Sequence, residues 1–600
     1  MVVGNGPSAI TLSFMLSGRL PYLDSSSHPI DFLQARLSNL GPEQCLLDVD
    51  LEALSQGLSG RSLNRVSVLF DQLMSPNTDF GGGEKSKLRW EYHPERAIDH
   101  VVLGTGLPGG LWYSLRKSKT VLTVSRQKWM QLPEMDIPQQ HHNSESTEEA
   151  EEEEAKENAI SPTMRVSFDN IATYYRSYVE HFHLGKYFRN FTRVQRVTWC
   201  QGLNCWIVDA ISKRCVPIAD TTTCKKSKCD STLNLLKHLR SIAKLRDHHH
   251  HHPKPVQYEI KLTRTRFLAK SVVLATGANA TSPSLLNIPG EAAPFVMHSL
   301  DQLDSVLRSS AKIQRNYLTP LPLCSPPSPS SPPQPSPPTL ATLPPQALPT
   351  ILLVGSGLSS ADALLMLADH HKKLHPSQQA PFRIVHIFRR SVSDRSLIFN
   401  QLSNEHLYPE YSATFRQMKS SIADARCLPC FLAHPTATYQ AYHRTILQHI
   451  SPERRHRSAT VTFLEDAFGE SQICIDCGQP LNSVGSTSAS FPVSLVLVLI
   501  GSKPELDFLP SPLVAKLGLQ SNQPLDIRSN PVRINTVTHE ALAARNLYAI
   551  GPLVGDNFVR FVQGGAVAVA ADLARKRKDR SLTAVESAVR TIPNTGCDLN

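Results

Sequence analysis

Cysteine is scarce in this chain, 12 in 600 residues with no regular spacing. That excludes the disulfide framework of a small secreted domain and points to free thiols in a reducing compartment. Long apolar runs are missing as well. The longest, Val493 to Ile500, has the length of a buried strand and falls far short of the roughly 20 residues needed to span a bilayer. No integral membrane segment is expected. The apolar N-terminus lacks a basic lead, and the turn Gly4-Asn5-Gly6-Pro7 interrupts any signal core. Positive charge is in excess, at +10, but it is diffuse and is not interleaved with aromatic residues as in a nucleic-acid groove. Nucleic acid is therefore excluded as a partner. The clearest basic cluster, Arg575-Lys576-Arg577-Lys578, reads as a solvated helix end, with a nuclear-import signal as the alternative.

What the chain does have is size and glycine-rich turns. Six hundred residues exceed what one hydrophobic core organises, so two interleaved domains with inserts are expected. The opening stretch Val2-Val3-Gly4-Asn5-Gly6-Pro7-Ser8-Ala9-Ile10 reads as strand, tight turn and helix. Gly4 supplies a backbone angle other residues resist, Gly6 lets the main chain approach a pyrophosphate, and Ala9 fills the small-residue slot between helix and sheet. The N–H groups of the following helix would face the phosphates. An ordinary surface turn is the alternative for so short a pattern. Only Val2 and Val3 precede the turn, where such a strand usually runs about five residues, so an upstream extension in the natural protein is expected.

A full-length version of the motif follows at Thr350-Ile351-Leu352-Leu353-Val354-Gly355-Ser356-Gly357-Leu358-Ser359-Ser360. The next apolar run, Arg383 to Phe388, ends in Arg389-Arg390-Ser391 where an NAD site would carry an acid for the ribose hydroxyl. Arginine suits a 2′-phosphate, so NADP is preferred to NAD and Arg389 is the candidate. Buried strands ending in small residues are expected at Lys270 to Gly277 and at Asn546 to Gly551, and Gly555-Asp556 precedes a helix of small residues from Gln563. Phe168, Ile171, Tyr174, Tyr175, Tyr178, Val179 and Phe182 form a helical core stripe, and an antiparallel meander is expected from Phe191 to Leu262.

The remaining segments punctuate this pattern. An acidic excursion near 139–160, a polar insert at 220–255 holding His248 to His252, and a Pro/Ser-rich linker at 318–349 lack the apolar residues of a core and read as disordered or extended. The pairs Cys427-Leu428-Pro429-Cys430 and Cys474-Ile475-Asp476-Cys477 have zinc-ribbon spacing internally, but the 43 residues between them far exceed the usual 15 to 20 or so, and no metal site is assigned.

Taken in order, these motifs resemble the class B flavin-dependent monooxygenases, whose Gly-Gly-x-Trp is matched by Gly109-Gly110-Leu111-Trp112. Met130-Gln131-Leu132-Pro133 and Met297-His298-Ser299 have loose counterparts there. More narrowly the chain resembles the oxidative stress-induced growth inhibitor family, through Gly4-Asn5-Gly6-Pro7-Ser8, Asp79-Phe80-Gly81-Gly82 and Leu107 to Trp112. The resemblance implies an α/β fold with two Rossmann-like dinucleotide-binding domains of the flavin monooxygenase type, one for FAD and one for NADPH, carrying disordered inserts. The expected division is 1–300 for the first part of the FAD domain, 318–349 for the linker, 350–490 for the NADPH domain, 491–575 for the rest of the FAD domain, and 576–600 for a tail.

By that likeness Gly4, Gly6, Pro7, Ser8 and Ala9 hold the FAD pyrophosphate. Gly109, Gly110 and Trp112 flank the flavin, Gly277 and Gly551 end neighbouring strands, and Asp556 sits near the ribityl chain. Gly355, Gly357, Ser360 and Arg389 hold NADPH. The implied activity is that of an NADPH-dependent flavin monooxygenase acting on an unassigned small molecule, in a protein that restrains growth and regulates cell death, differentiation and division. Protein partners in growth or cytokinesis control follow from the same likeness, with a cytoplasmic, nuclear or division-structure location. Two departures stand out. No acidic residue ends a second strand after the first turn, and the fingerprint Phe-x-Gly-x-x-x-His keeps only His298, with Pro294 in place of glycine. A flavin-binding regulator without turnover, or an NADPH oxidase or reductase without oxygen insertion, are the alternatives.

Overall fold

A computed structural model of the chain describes residues 1–24, 27–78, 85–116, 121–138, 165–217, 258–278, 285–309, 348–374, 382–394, 397, 400, 409–434, 436–453, 457–464, 473–478 and 488–590. The motif at 79–82, the acidic and histidine runs and nearly all of the Pro/Ser-rich linker lie outside these residues.

Two parallel five-stranded sheets organise the chain. In the first the order is Leu547–Ala549, Val272–Leu274, Val2–Val3, Val102–Leu103 and Phe188–Arg189. In the second it is Val296–Met297, Leu495–Val498, Thr350–Val354, Arg383–Ile387 and Tyr439–Tyr442. The inner strands are buried throughout and mostly apolar without alternation, Thr350, Arg383 and His386 being the polar exceptions, as a parallel sheet covered on both faces requires. In each sheet the strand before a glycine-rich turn is central. Its two neighbours come from different crossovers, and this places a crevice at the strands' carboxyl ends.

Domain membership differs in two places from the division expected from the sequence. Val296–Met297, within 1–300, and Leu495–Val498, within 491–575, both pair into the second sheet. The chain therefore changes sheets before residue 296 and returns after residue 498. Short apolar runs of this kind look alike in either sheet, and only the pairing distinguishes them.

Helix packing around the first sheet explains the small residues late in the chain. The Pro7–Leu16 helix is buried along its length from Ser8 to Leu16 and packs against the helix Val559–Arg590. A Cβ at Gly564 would lie 2.4 Å from Ser67 Cα, so glycine there is what lets the Arg65–Met74 helix approach. The aromatic stripe forms the helix Phe168–His181, capped at its start by the Ser167 hydroxyl accepting from the Asn170 N–H. Its tyrosines are core residues that also hold a neighbouring segment in place, since Tyr174, Tyr175 and Tyr178 donate to the carbonyls of Met135, Met130 and Pro133. The expected meander is present as Thr192–Cys200, Cys205–Pro217 and Tyr258–Ala269, antiparallel throughout. A smaller antiparallel sheet, Thr445–Ser451, Ser458–Phe463 and Ser488–Pro492, accompanies the second parallel sheet.

The two parts are joined by a buried polar contact. Arg165 donates to Tyr411 Oη at 2.7 Å and to Asp362 Oδ1 at 3.2 Å, and both acceptors sit on helices of the second part. Among the described residues no helix is long and apolar enough to cross a membrane.

Candidate functional site

The first glycine turn is built by close backbone approach. Gly4 has φ +110°, and a Cβ there would fall 2.2 Å from the Ala275 carbonyl oxygen of the neighbouring strand's end. Only glycine fits. The turn leads into the Pro7–Leu16 helix with Gly6 at the N-cap and no side chain capping it, so the first-turn N–H groups of Ser8 and Ala9 are left for a ligand. The second glycine cluster lies directly over the first. The Gly109 N–H donates to the Asn5 carbonyl at 3.0 Å, Asn5 Nδ2 donates to the Gly106 carbonyl at 2.9 Å, and a Cβ at Gly110 would lie 2.9 Å from Gly6 Cα. Residues about 100 apart in sequence thus form one cradle.

Contrary to the reading of the sequence, an acid does follow the second strand, Asp24 after Arg19–Leu23, but that strand pairs with Leu88–Tyr92 and not with Val2–Val3. The strand beside Val2–Val3, where a ribose-binding carboxylate would stand, is Val102–Leu103, and it ends in Gly104. Asn5 occupies the space a side chain would need, its Nδ2 only 2.0 Å from a Cβ built on Gly104. A carboxylate at residue 104 would have to displace the Asn5 side chain.

A cleft of about 1540 Å³ opens from this cradle. Gly4, Gly6, Pro7, Ser8, Gly110, Trp112 and Gly277 line it, as do Phe558 and Phe561 at the start of the last helix. Trp112 meets Phe168 edge-on at 5.2 Å. Ala9 is buried where helix meets sheet, Gly109 is committed to Asn5, and Gly551 packs so closely on Ser8 that a Cβ would sit 2.5 Å from its Oγ. None of these three forms the cleft wall.

Asp556 lies behind the cleft wall. Its carboxylate is fully buried and accepts from the hydroxyls of Ser62 and, at 2.8 Å, Ser67, and it is absent from the cleft wall while its neighbours Gly555 and Asn557 are present. Burial pushes this carboxyl up to about 6 against the opposing pull of the serine hydroxyls and Asn64.

The second glycine turn repeats the close approach. Gly355 has φ +129°, and a Cβ would lie 2.3 Å from the Leu499 carbonyl oxygen. Its own carbonyl accepts from His386 Nε2, whose other nitrogen faces the Tyr439 hydroxyl at 2.9 Å. Burial pushes His386 down to about 4, so it is neutral at pH 7. Among the described residues, nothing lies within 4 Å of a Cβ built on Gly357, and the buried Ser360 Oγ has no hydrogen-bond partner. At the end of the next strand Arg389 and Arg390 are both exposed, and it is Arg390 that lines the large cleft, with Leu358 from the second glycine turn's helix. Gly355, Gly357, Ser360 and Arg389 are not on that wall.

His298, the surviving residue of the broken fingerprint, is held by Glu291 at 3.1 Å. Glu291 also accepts from the N–H groups of Leu286 and Asn287. These contacts offset the cost of its burial and leave its carboxyl below the usual range. The two Cys-x-x-Cys pairs, far apart in the sequence, are brought together: the four sulfurs lie within 4.8 Å of one another.

No protein-family model matches the chain. It is 34% identical over 577 residues to oxidative stress-induced growth inhibitor 1 of Homo sapiens, covering 96% of this chain and 95% of the relative. It is 33% identical over 588 residues to oxidative stress-induced growth inhibitor 2 of Homo sapiens, covering 97% and 94%. Solved structures that superpose include ornithine hydroxylase from Pseudomonas aeruginosa, at 12% identity and a TM-score of 0.41 over 96% of this chain and 98% of that one.

Proposed function

The chain belongs to the oxidative stress-induced growth inhibitor family, and from that premise we propose that it is a flavoprotein oxidoreductase of the monooxygenase type, holding FAD at the first glycine cradle and drawing electrons from NADPH at the second. One observation carries the reading. A single cleft runs from Gly4, Gly6 and Gly110 at the first sheet to Leu358 and Arg390 at the second. Its volume of about 1540 Å³ exceeds the roughly 300–1,000 Å³ of a small-ligand pocket, leaving room for a dinucleotide beside a second ligand.

The residues present fit the two groups. Gly4 and Gly110 are cradle positions where a side chain would collide with backbone, and the helix N-terminus at Pro7 and Ser8 suits a pyrophosphate. Trp112, Phe558 and Phe561 give an apolar wall that excludes water. Gly355 and the space beside Gly357 admit a second nucleotide backbone, and the Ser360 hydroxyl, without a hydrogen-bond partner among the described residues, is available to a phosphate oxygen. Arg390 is placed to pair with a 2′-phosphate through its planar fork. When bound, FAD supplies hydride acceptance and the reaction with dioxygen, and the protein supplies position and exclusion of water. The relatives' name ties the chain to growth inhibition under oxidative stress.

The test is an absorbance scan of purified protein after incubation with FAD, followed by NADPH-dependent oxygen consumption. Bound yellow flavin and consumption above free flavin are expected. A folded preparation that stays colourless at millimolar FAD overturns the proposal. A second reading, a flavin-binding regulator without turnover, is favoured by Pro294 in the glycine position of the fingerprint and by the engagement of His298 with Glu291. Bound flavin with no NADPH-dependent oxygen use supports it, and stoichiometric peroxide release points to an oxidase.

A further inference from the structure

Cys427 stands at the N-cap of the short helix Leu428–Ala433, Cys430 lies in its first turn, and Cys474 and Cys477 lie on a turn between the strands Ser458–Phe463 and Ser488–Pro492. All four are free thiols. Their sulfurs lie within 4.8 Å of one another, and Cys427 Sγ and Cys477 Sγ are 3.8 Å apart. A tetrahedron of sulfurs with metal–sulfur bonds of about 2.3 Å has edges of about 3.8 Å. The Cys427–Cys477 separation equals that edge, and the remaining sulfur separations exceed it by at most about 1 Å.

The surrounding residues build the two knuckles independently of the sulfurs. Arg426 Nε donates to Asp476 Oδ2 at 2.8 Å, joining the residue before Cys427 to the residue before Cys477. The Ile475 N–H donates to the Ala425 carbonyl at 3.2 Å, and the Tyr442 hydroxyl donates to the Arg426 carbonyl at 2.9 Å. Gly478, directly after Cys477, has φ +69°, and its N–H donates to the Cys474 carbonyl at 2.9 Å, closing the turn so that both cysteines face one side. The long interval between the pairs is taken up by the strands Tyr439–Tyr442, Thr445–Ser451 and Ser458–Phe463, which carry the chain out and back.

We propose that Cys427, Cys430, Cys474 and Cys477 form a structural zinc site. Four protein ligands leave no open position for a substrate, which is the arrangement of a structural rather than a catalytic ion. Binding deprotonates the four thiols and releases the protons to solvent. The ion fastens the 473–478 turn to the helix that precedes the edge strand Tyr439–Tyr442, and so braces that edge of the second parallel sheet.

The test is elemental analysis of the purified full-length protein by plasma mass spectrometry, with zinc release followed on titration by an organomercurial. One zinc per chain is expected, retained through dialysis and released as the thiols are blocked. The double variant Cys427→Ser, Cys477→Ser is expected to lose the zinc and melt at a lower temperature. Should that variant fail to fold, protein produced with cobalt in place of zinc decides the matter, because tetrahedral thiolate ligation gives intense visible ligand-field bands. A metal-free wild-type chain with four reactive thiols, two disulfides among these cysteines, or stoichiometric iron each overturns the proposal. None of these readings depends on bound flavin.

Discussion

Asp556 offers the sharpest perturbation of the first cradle, because geometry and resemblance give it different roles. Its carboxyl titrates at about 6 in the folded chain against 3.8 for the free group, because burial outweighs the serine and Asn64 hydrogen bonds. Below about pH 3.8 both folded and unfolded chains hold the proton. Between 3.8 and 6 the folded chain keeps it and the unfolded chain releases it, so this group's contribution to stability falls as pH rises through that window and levels off above 6. Two pKa units correspond to about 3 kcal/mol. Asp556→Asn keeps the shape, and its amide accepts from one serine and donates to the other. The variant is therefore expected to be more stable than wild type at pH 7.5 by up to about 3 kcal/mol, roughly 5–10 °C in Tm for a unit of this size, with the difference shrinking toward zero near pH 4. Scanning calorimetry of both proteins from about pH 4 to 8 measures it. FAD affinity is expected to change by less than about tenfold, or 1.4 kcal/mol, because the carboxylate is absent from the cleft wall. A variant less stable at about pH 7.5, or a difference flat in pH, refutes the burial argument, and loss of flavin from a folded variant refutes the placement.

Further expectations concern the second cradle and the joint between the parts. Gly357→Leu points into open space, so it should fold normally and keep its flavin while raising the KM for NADPH by roughly tenfold or more; steady-state kinetics with a flavin spectrum checks both. Arg390→Ala should weaken NADPH relative to NADH by roughly 10- to 100-fold, the loss of one charged hydrogen bond of about 1.5–3 kcal/mol, while Arg389→Ala changes the ratio little. Arg165→Met removes the cation beside Asp362, which keeps the hydrogen bond from the Tyr411 hydroxyl, and should lower the Tm. A Tm unchanged within error would show that this ion pair does not hold the two parts together.

The sequence makes the sheets legible because their signal is local. A few buried aliphatic residues followed by a glycine that must adopt positive φ can be read directly at Val2 to Gly4 and at Ile351 to Gly355, and the closeness of Ala275 and Leu499 backbone to those glycines shows the physical reason. What escapes such reading is set by pairing across hundreds of residues. Arg389 and Arg390 differ only in which way each points beyond the strand Arg383–Ile387, and one place along the chain decides which reaches the cleft. Asp556 finds its serines 489 and 494 residues away, which no window along the chain brings together.

The missing ribose acid is instructive in the opposite direction. A carboxylate is usually sought about 20 residues after the first glycine turn. Here the chain first makes the hairpin Arg19–Leu23 with Leu88–Tyr92 and the helices between them. The strand that pairs with Val2–Val3 arrives only at Val102. The sequence offers no acid there, and the fold adds why none could be used: Gly104 yields its side-chain volume to Asn5, whose amide then ties the two glycine clusters together. A carboxylate at 104 would have to displace that amide, opening the Asn5–Gly106 contact on which the cradle's shape rests. A ribose hydroxyl of a nucleotide bound here would have to be met by a group other than a side chain at residue 104.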